Sequence, residues 1–298
     1  MQWYIYPAIT SDAMSTATLV NLVLLHGAGA PIQQPVLQAL ISALNTMQIN
    51  VYAGNFAYME QVRQGQRRPP PALDKLQLEL AQGLQDLLSA APLQKDLSDA
   101  APWFIAGKSM GSRVAFGHVV NANTALKTAH KTTQKAALEE VAEGLREGDQ
   151  EGAWRSAHPQ IPAMDRLNWR GVIALGFPFV PPATLLKAKA NASSTAPSML
   201  WLELADKRTQ DFAKLAVPGL ILQGERDAFG GKSQLQSAEF KAKSSLWPNI
   251  KLQLVAGACH DFKFVKSLQS QAPSAKNNEA SRIYELAMQI RSFIDAVL

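Results

Sequence analysis

The 298-residue sequence holds a single cysteine, Cys259, so no internal disulfide can form. That fits a reducing compartment. No stretch approaches the roughly 18 consecutive apolar residues that a membrane-spanning helix needs. The first residues, MQWYIYPAITSDAMSTATLV, lack a basic start followed by an apolar stretch, so a signal peptide is not expected. Charge is sparse as well. Charged residues make up 18 % and apolar ones 47 %, a balance that excludes disorder along the whole chain and allows a large buried core. The net charge of +5 comes from 29 basic and 24 acidic residues scattered along the sequence. No Lys/Arg run with interleaved aromatics points to nucleic acid. No internal repeat is present. These absences leave a soluble, cytoplasmic protein with a small-molecule substrate as the expectation, with no cofactor, no metal and no membrane partner. The oligomeric state is left open.

Short apolar runs end at Gly, Pro or a polar turn. They are ATLVNLVLL at 17–25, INVYAGNFA at 49–57, PWFIA at 102–106, GVIALG at 171–176, PGLILQG at 218–224 and KLQLVAG at 251–257. Most are apolar throughout rather than alternating, as strands covered on both faces of a parallel sheet are. Between them, 34–47, 73–90 and the end of the chain carry apolar residues at helical spacing. Alternation of strand and helix predicts an α/β fold with right-handed βαβ crossovers. Two stretches break the rhythm. Residues 121–168 are too long for an ordinary connection and read as a helical, lid-like insertion, with Leu138 or Trp154 facing the core or the cleft. Residues 187–200, KAKANASSTAPSML, read as a flexible loop. The chain is expected to form one domain over 1–298.

The sharpest chemical signal is Gly107-Lys108-Ser109-Met110-Gly111. It follows a strand directly and opens a helix through Val114, Ala115 and Phe116, which is the strand–turn–helix setting of a G-x-S-x-G nucleophile elbow. Gly-Lys-Ser also ends a phosphate-binding P-loop, but that motif needs a glycine at position 102, where proline stands. His26-Gly27-Ala28-Gly29-Ala30-Pro31 follows the strand ending at Leu25. Such a loop supplies one N–H of an oxyanion hole and the residue after the nucleophile supplies the other. Ala28 and Met110 are the candidates, with His26 supporting the loop.

An elbow of this kind takes its partners in the order serine, acid, histidine. Asp227 follows the strand PGLILQG and His260 follows KLQLVAG, so Ser109, Asp227 and His260 are expected to meet at one sheet edge. Glu225 competes as the acid. After GVIALG the sequence offers Phe177-Pro178-Phe179 and no carboxylate. Cys259, with no elbow to present it, reads as a filler beside His260. Tyr58 and Phe177 are candidate substrate contacts. Arg67 and Arg68, in the stretch from Tyr58 to Pro71, are candidates to face the cleft and favour an anionic substrate.

Taken together, LLHGAGAP at 24–31, NFAYMEQVRQGQRRPP at 55–70, IAGKSMGSRVA at 105–115, ALGFPFVPP at 174–182, LILQGERDAFG at 220–230 and HDFK at 260–263 resemble the small predicted α/β-hydrolases related to dienelactone hydrolase. That group includes many bacterial proteins, an animal testis-expressed protein and a subunit of a nuclear histone-acetylation complex. The resemblance touches most of the chain outside 1–16, 121–168 and 187–205. It implies the α/β-hydrolase fold and the triad but no particular substrate. Two functions follow: a hydrolase of carboxylic esters or thioesters, and a non-catalytic interaction protein that keeps the fold. The intact Ser109, Asp227 and His260 favour the enzyme.

Overall fold

The computed structural model describes residues 1–9, 18–89, 102–122, 167–182, 197–264 and 279–298. A seven-stranded sheet organises them: β1 (Gln2–Tyr6), β2 (Val20–Leu25), β3 (Ile49–Asn55), β4 (Trp103–Lys108), β5 (Trp169–Leu175), β6 (Gly219–Gly224) and β7 (Ile250–Val255). The strand order is β1-β3-β2-β4-β5-β6-β7. Every neighbouring pair from β3 to β7 runs parallel, and β1 alone pairs antiparallel, with β3. The six apolar runs of the sequence became β2 to β7. β1 is an addition: Gln2 and Ile5 are exposed and the strand lies at the sheet edge, so it lacks the continuous apolar signature of a covered strand.

Helices alternate with the strands. They are α1 (Pro35–Asn45), α2 (Ala57–Arg63), α3 (Leu73–Ser89), α4 (110–122), α5 (Pro197–Thr209), α6 (Lys232–Leu235), α7 (Ala238–Ser244) and α8 (Glu279–Val297). Side chains alternate across a strand, and here that alternation builds two cores. Leu22, Leu24, Phe104, Ala106, Ile173 and Leu220 face one side, where α1 and α8 cover them with Leu37, Leu40, Ile283, Leu286 and Ile290. Val23, Leu25, Ile105, Val172, Ala174 and Ile221 face the other side, where α3, α4 and α5 cover them. Of the stretch 187–200 expected to be a loop, 187–196 lie outside the described residues and 197–200 belong to α5, which starts at Pro197. Proline is tolerated in a first helical turn, where its missing N–H has no intrahelical acceptor in any case. Leu138 and Trp154, and almost all of the insertion at 121–168, lie outside the described residues. Among the described residues no helix is long and apolar enough to cross a membrane.

Candidate functional site

Parallel strands deliver their C-terminal ends, and the loops after them, to one edge of the sheet. β4 ends at Lys108, and Ser109 makes the turn into α4 with φ +53°. That left-handed conformation costs a non-glycine residue on the order of 1–3 kcal/mol. Its surroundings hold it there. The Ser109 N–H donates to the Leu175 carbonyl of β5 at 3.0 Å, and the Ser112 N–H donates back to the Ser109 carbonyl at 2.9 Å. Both glycines of the elbow are required by space. A Cβ at Gly107 would collide with the backbone of Gly111, and one at Gly111 would lie 2.5 Å from the His26 carbonyl oxygen. The sharp turn can form only with hydrogens at these two positions.

The loop after β7 carries His260 to the serine. The Ser109 hydroxyl lies 2.8 Å from His260 Nε2, and His260 Nδ1 lies 2.7 Å from Asp227 Oδ2. The carboxylate fixes the tautomer. It can only accept, so Nδ1 carries the hydrogen and Nε2 presents its lone pair to the Ser109 O–H. Asp227 is buried. Its Oδ1 accepts the Phe229 N–H at 2.8 Å, and its Oδ2 also accepts the Gln223 side-chain amide at 2.8 Å. The Gln223 NH₂ also lies 3.2 Å from the Phe177 carbonyl and 3.1 Å from the Gly230 carbonyl. Three acceptors around one group leave no doubt which end of the amide points at Asp227. Gly176, at φ +67°, leaves room for the contact, since a Cβ there would sit 3.3 Å from His260 Nδ1 and 3.4 Å from Asp227 Oδ2.

Glu225, the competing acid, points elsewhere. It pairs with Lys232 at 2.8 Å and accepts the Gly257 N–H at 3.0 Å. The hydrogen bonds from Lys232 and Gly257 hold its carboxyl below the usual range. It ties the loop after β6 to the loop after β7 and makes no contact with the histidine.

His26 is fully buried, with Nδ1 2.5 Å from the Gly27 carbonyl and Nε2 accepting the Phe56 N–H at 3.1 Å. Burial lowers its pKa from 6.5 to about 4, so it stays neutral and pins the Gly27–Ala30 loop to the end of β3. Tyr58 helps from the other side, donating to the Ala28 carbonyl at 3.2 Å. It is not among the residues that line the cleft. Ala28 does line the cleft beside Ser109. Met110 is the first helical residue of α4, so its N–H has no acceptor within that helix.

The cleft encloses about 700 Å³ and is bordered by the Gly27–Ala30 loop, Ser109, His260 and Phe229. The Phe229 ring packs on the imidazole with centroids 4.4 Å apart. Lys108 also lines it. Its buried ammonium sits 3.4 Å from the exposed Asp261 carboxylate, and burial pushes its pKa down against the pull of Asp261 and Asp227. Arg67 and Arg68 are exposed, and neither borders the cleft. α2 ends at Arg63, which turns back to Glu60 at 2.9 Å, and the chain then bends at Gly65 with φ +87°. Phe177 packs in an aromatic cluster with Phe116 and Phe212 and borders a second, smaller cavity. The sequence reading assigns no role at the site to Gln223 or Lys108. The polar residue ending an otherwise apolar run, LILQG, was the one signal for the former.

Residues 18–133 and 155–294 match the family model described as alpha/beta hydrolase domain. No curated protein matches the chain. Among solved structures, Est1E from Butyrivibrio proteoclasticus superposes with a TM-score of 0.48 at 13 % identity, covering 99 % of this chain and 94 % of that one. TT1662 from Thermus thermophilus gives 0.49 at 16 % identity, covering 100 % and 98 %. A dienelactone hydrolase from Anabaena variabilis gives 0.49 at 11 % identity, covering 99 % and 97 %.

Proposed function

The chain belongs to the alpha/beta hydrolase domain family, and from that membership we propose that it is a serine hydrolase cleaving a carboxylic ester or thioester. The observation that carries the reading is the unbroken run of hydrogen bonds from the Ser109 hydroxyl through His260 to the buried Asp227. A hydroxyl is a weak nucleophile at neutral pH and needs a base within hydrogen-bond reach. His260 Nε2 takes the Ser109 proton as Oγ bonds to the carbonyl carbon. Asp227 holds the ring and stabilises the imidazolium that forms. The carbonyl oxygen becomes an oxyanion, and the N–H groups of Ala28 and Met110 are assigned to hold it. Collapse breaks the bond to the alcohol or thiol, which leaves with the proton from His260. Water then gives a proton to His260 and attacks the acyl-enzyme; as the acid leaves, His260 returns that proton to the Ser109 Oγ, restoring both side chains.

Within the family we place the chain with the small hydrolases related to dienelactone hydrolase, on the six segments that resemble them. The kinship with the testis-expressed protein and the histone-acetylation subunit belongs to the same proposal. So do a cytoplasmic location and a single domain in which 121–168 is an insertion. Labelling with a fluorophosphonate tests the activity. The wild type should label at one site, and Ser109→Ala should not, with its melting midpoint retained. A folded wild type that fails to label would favour the non-catalytic interaction protein.

A further inference from the structure

Away from the Ser109 cleft, a cavity of about 90 Å³ opens between α3, α4 and α5. Phe116, Phe177 and Phe212 form its apolar wall, and its polar lining includes Gln77, Arg113 and Arg208, with Gln210, Asp211 and a Lys207 that pairs with Glu203. The charges are unbalanced. Arg208 donates one guanidinium nitrogen to the Pro178 and Val180 carbonyls at 2.8 and 3.0 Å. Among the described residues Arg113 has no hydrogen-bond or ion-pair partner, and no carboxylate pairs with either arginine. The one acidic side chain in the lining, Asp211, is engaged by Lys214 at 2.7 Å. Burial lowers the pKa of Arg113. Burial, with the Arg113 charge added, lowers that of Arg208 to about 10.

An arginine at neutral pH remains charged. Two half-buried guanidiniums that repel each other, one of them without an acceptor, are costly unless an anion joins them. We propose that this cavity is an anion site that takes a phosphate group, held by Arg113 and Arg208 with the Gln77 amide beside them. Each guanidinium is a planar fork that matches two oxygens of a phosphate. A phosphate has oxygens for two forks and up to two negative charges, whereas one carboxylate satisfies one fork. Gly117 suits the arrangement: a Cβ there would collide with the Gln77 amide, so its absence lets that amide lie against α4. The position is also telling. Arg113 stands about one helical turn beyond Ser109 on α4, and Phe177 follows Gly176, which touches the His260–Asp227 contact. The group bound here is either the phosphorylated end of a substrate or a free phosphate effector.

Binding is tested without using hydrolysis, so this inference and the hydrolase reading can fail separately. Inorganic phosphate is titrated into wild type and Arg113→Gln at constant ionic strength, with chloride and acetate as controls. Calorimetry and the melting midpoint are the readouts. Phosphate should bind and raise the wild-type midpoint, chloride and acetate should not, and Arg113→Gln should weaken phosphate at least about 10-fold. Phosphate that gives the wild type no more than chloride does would overturn the site. Equal affinity in Arg113→Gln would also overturn it, as would acetate matching phosphate. Where phosphate binds, ester kinetics identify its source: competitive inhibition marks the end of a substrate, and any other pattern marks an effector.

Discussion

Two histidines follow parallel strands at the same edge of the sheet, and their partners set them apart. His26, after β2, spends both ring nitrogens on backbone groups, the Gly27 carbonyl and the Phe56 N–H, and is fully buried. His260, after β7, gives both nitrogens to side chains, the Asp227 carboxylate and the Ser109 hydroxyl, and borders the cleft. A ring bound to backbone on both sides can only fix the loops that it joins. A ring between a carboxylate and a hydroxyl can move a proton. Both are histidines beyond the C-terminal end of a parallel strand, one strand inside the sheet and the other outermost in it, and it is their partners that differ in kind.

Exchange of each histidine sharpens that contrast most. His260→Ala should cut turnover of a p-nitrophenyl ester by roughly 10³-fold or more while leaving the melting midpoint within a few degrees. His26→Ala should lower unfolding stability by about 2–4 kcal/mol, through a cavity and two unpaired backbone groups, and reduce turnover less. If His26→Ala matched His260→Ala in turnover with stability unchanged, the comparison would be wrong.

The next effect comes from acid. Burial lowers both His26 and His118 to about 4, below the unfolded value near 6.5. The unfolded state therefore binds more protons between these values. The stability from each ring is fully present above about pH 6.5 and is lost as pH falls towards 4, on the order of 3 kcal/mol per histidine. Urea unfolding at pH 7 and at pH 5 measures this. A midpoint that does not fall at pH 5 would contradict the burial of these rings.

Smaller effects belong to the groups around Asp227. Gln223→Leu keeps the volume and removes the amide donor, so it should lower kcat roughly 10-fold, the scale of one charge-assisted hydrogen bond. An unchanged KM would mark a positioning residue. Glu225→Gln should change turnover by no more than about 2-fold, because an exposed ion pair contributes about 1 kcal/mol or less. A larger loss in the Glu225 variant than in Gln223→Leu would reverse the assignment of the acids.

Much of this was readable in the chain. The covered strands show as continuous apolar runs, and the elbow shows as two glycines whose positions have no space for a Cβ. Ser109, Asp227 and His260 each lie in the turn or loop that follows a strand, and a parallel sheet brings such segments together. β1 was missed because a half-exposed edge strand has no such signature. Gln223 was missed because a buried amide gains its meaning from acceptors on the loops after β5 and β6. Tyr58 lay in the right neighbourhood for the cleft, yet its hydroxyl holds the loop that borders it. Arg113 and Arg208 are 95 residues apart by their numbers, and only the packing of α5 beside α4 makes them one charge cluster.

The strand order has a consequence for how the molecule comes into being. Ser109 and His260 are 151 residues apart, and parallel neighbours are joined by long crossovers rather than hairpins. Contacts of that range form late, since the entropy of closing long loops must be met first. The relay cannot exist until β7 has docked on β6 and brought the last loop to the elbow. On the proposed mechanism, a nascent chain, or one arrested with β7 undocked, would have its serine in place and no base to activate it. Labelling of Ser109 during refolding would therefore report completion of the sheet, lagging any signal from the β2–β4 core and rising only as the final strand joins.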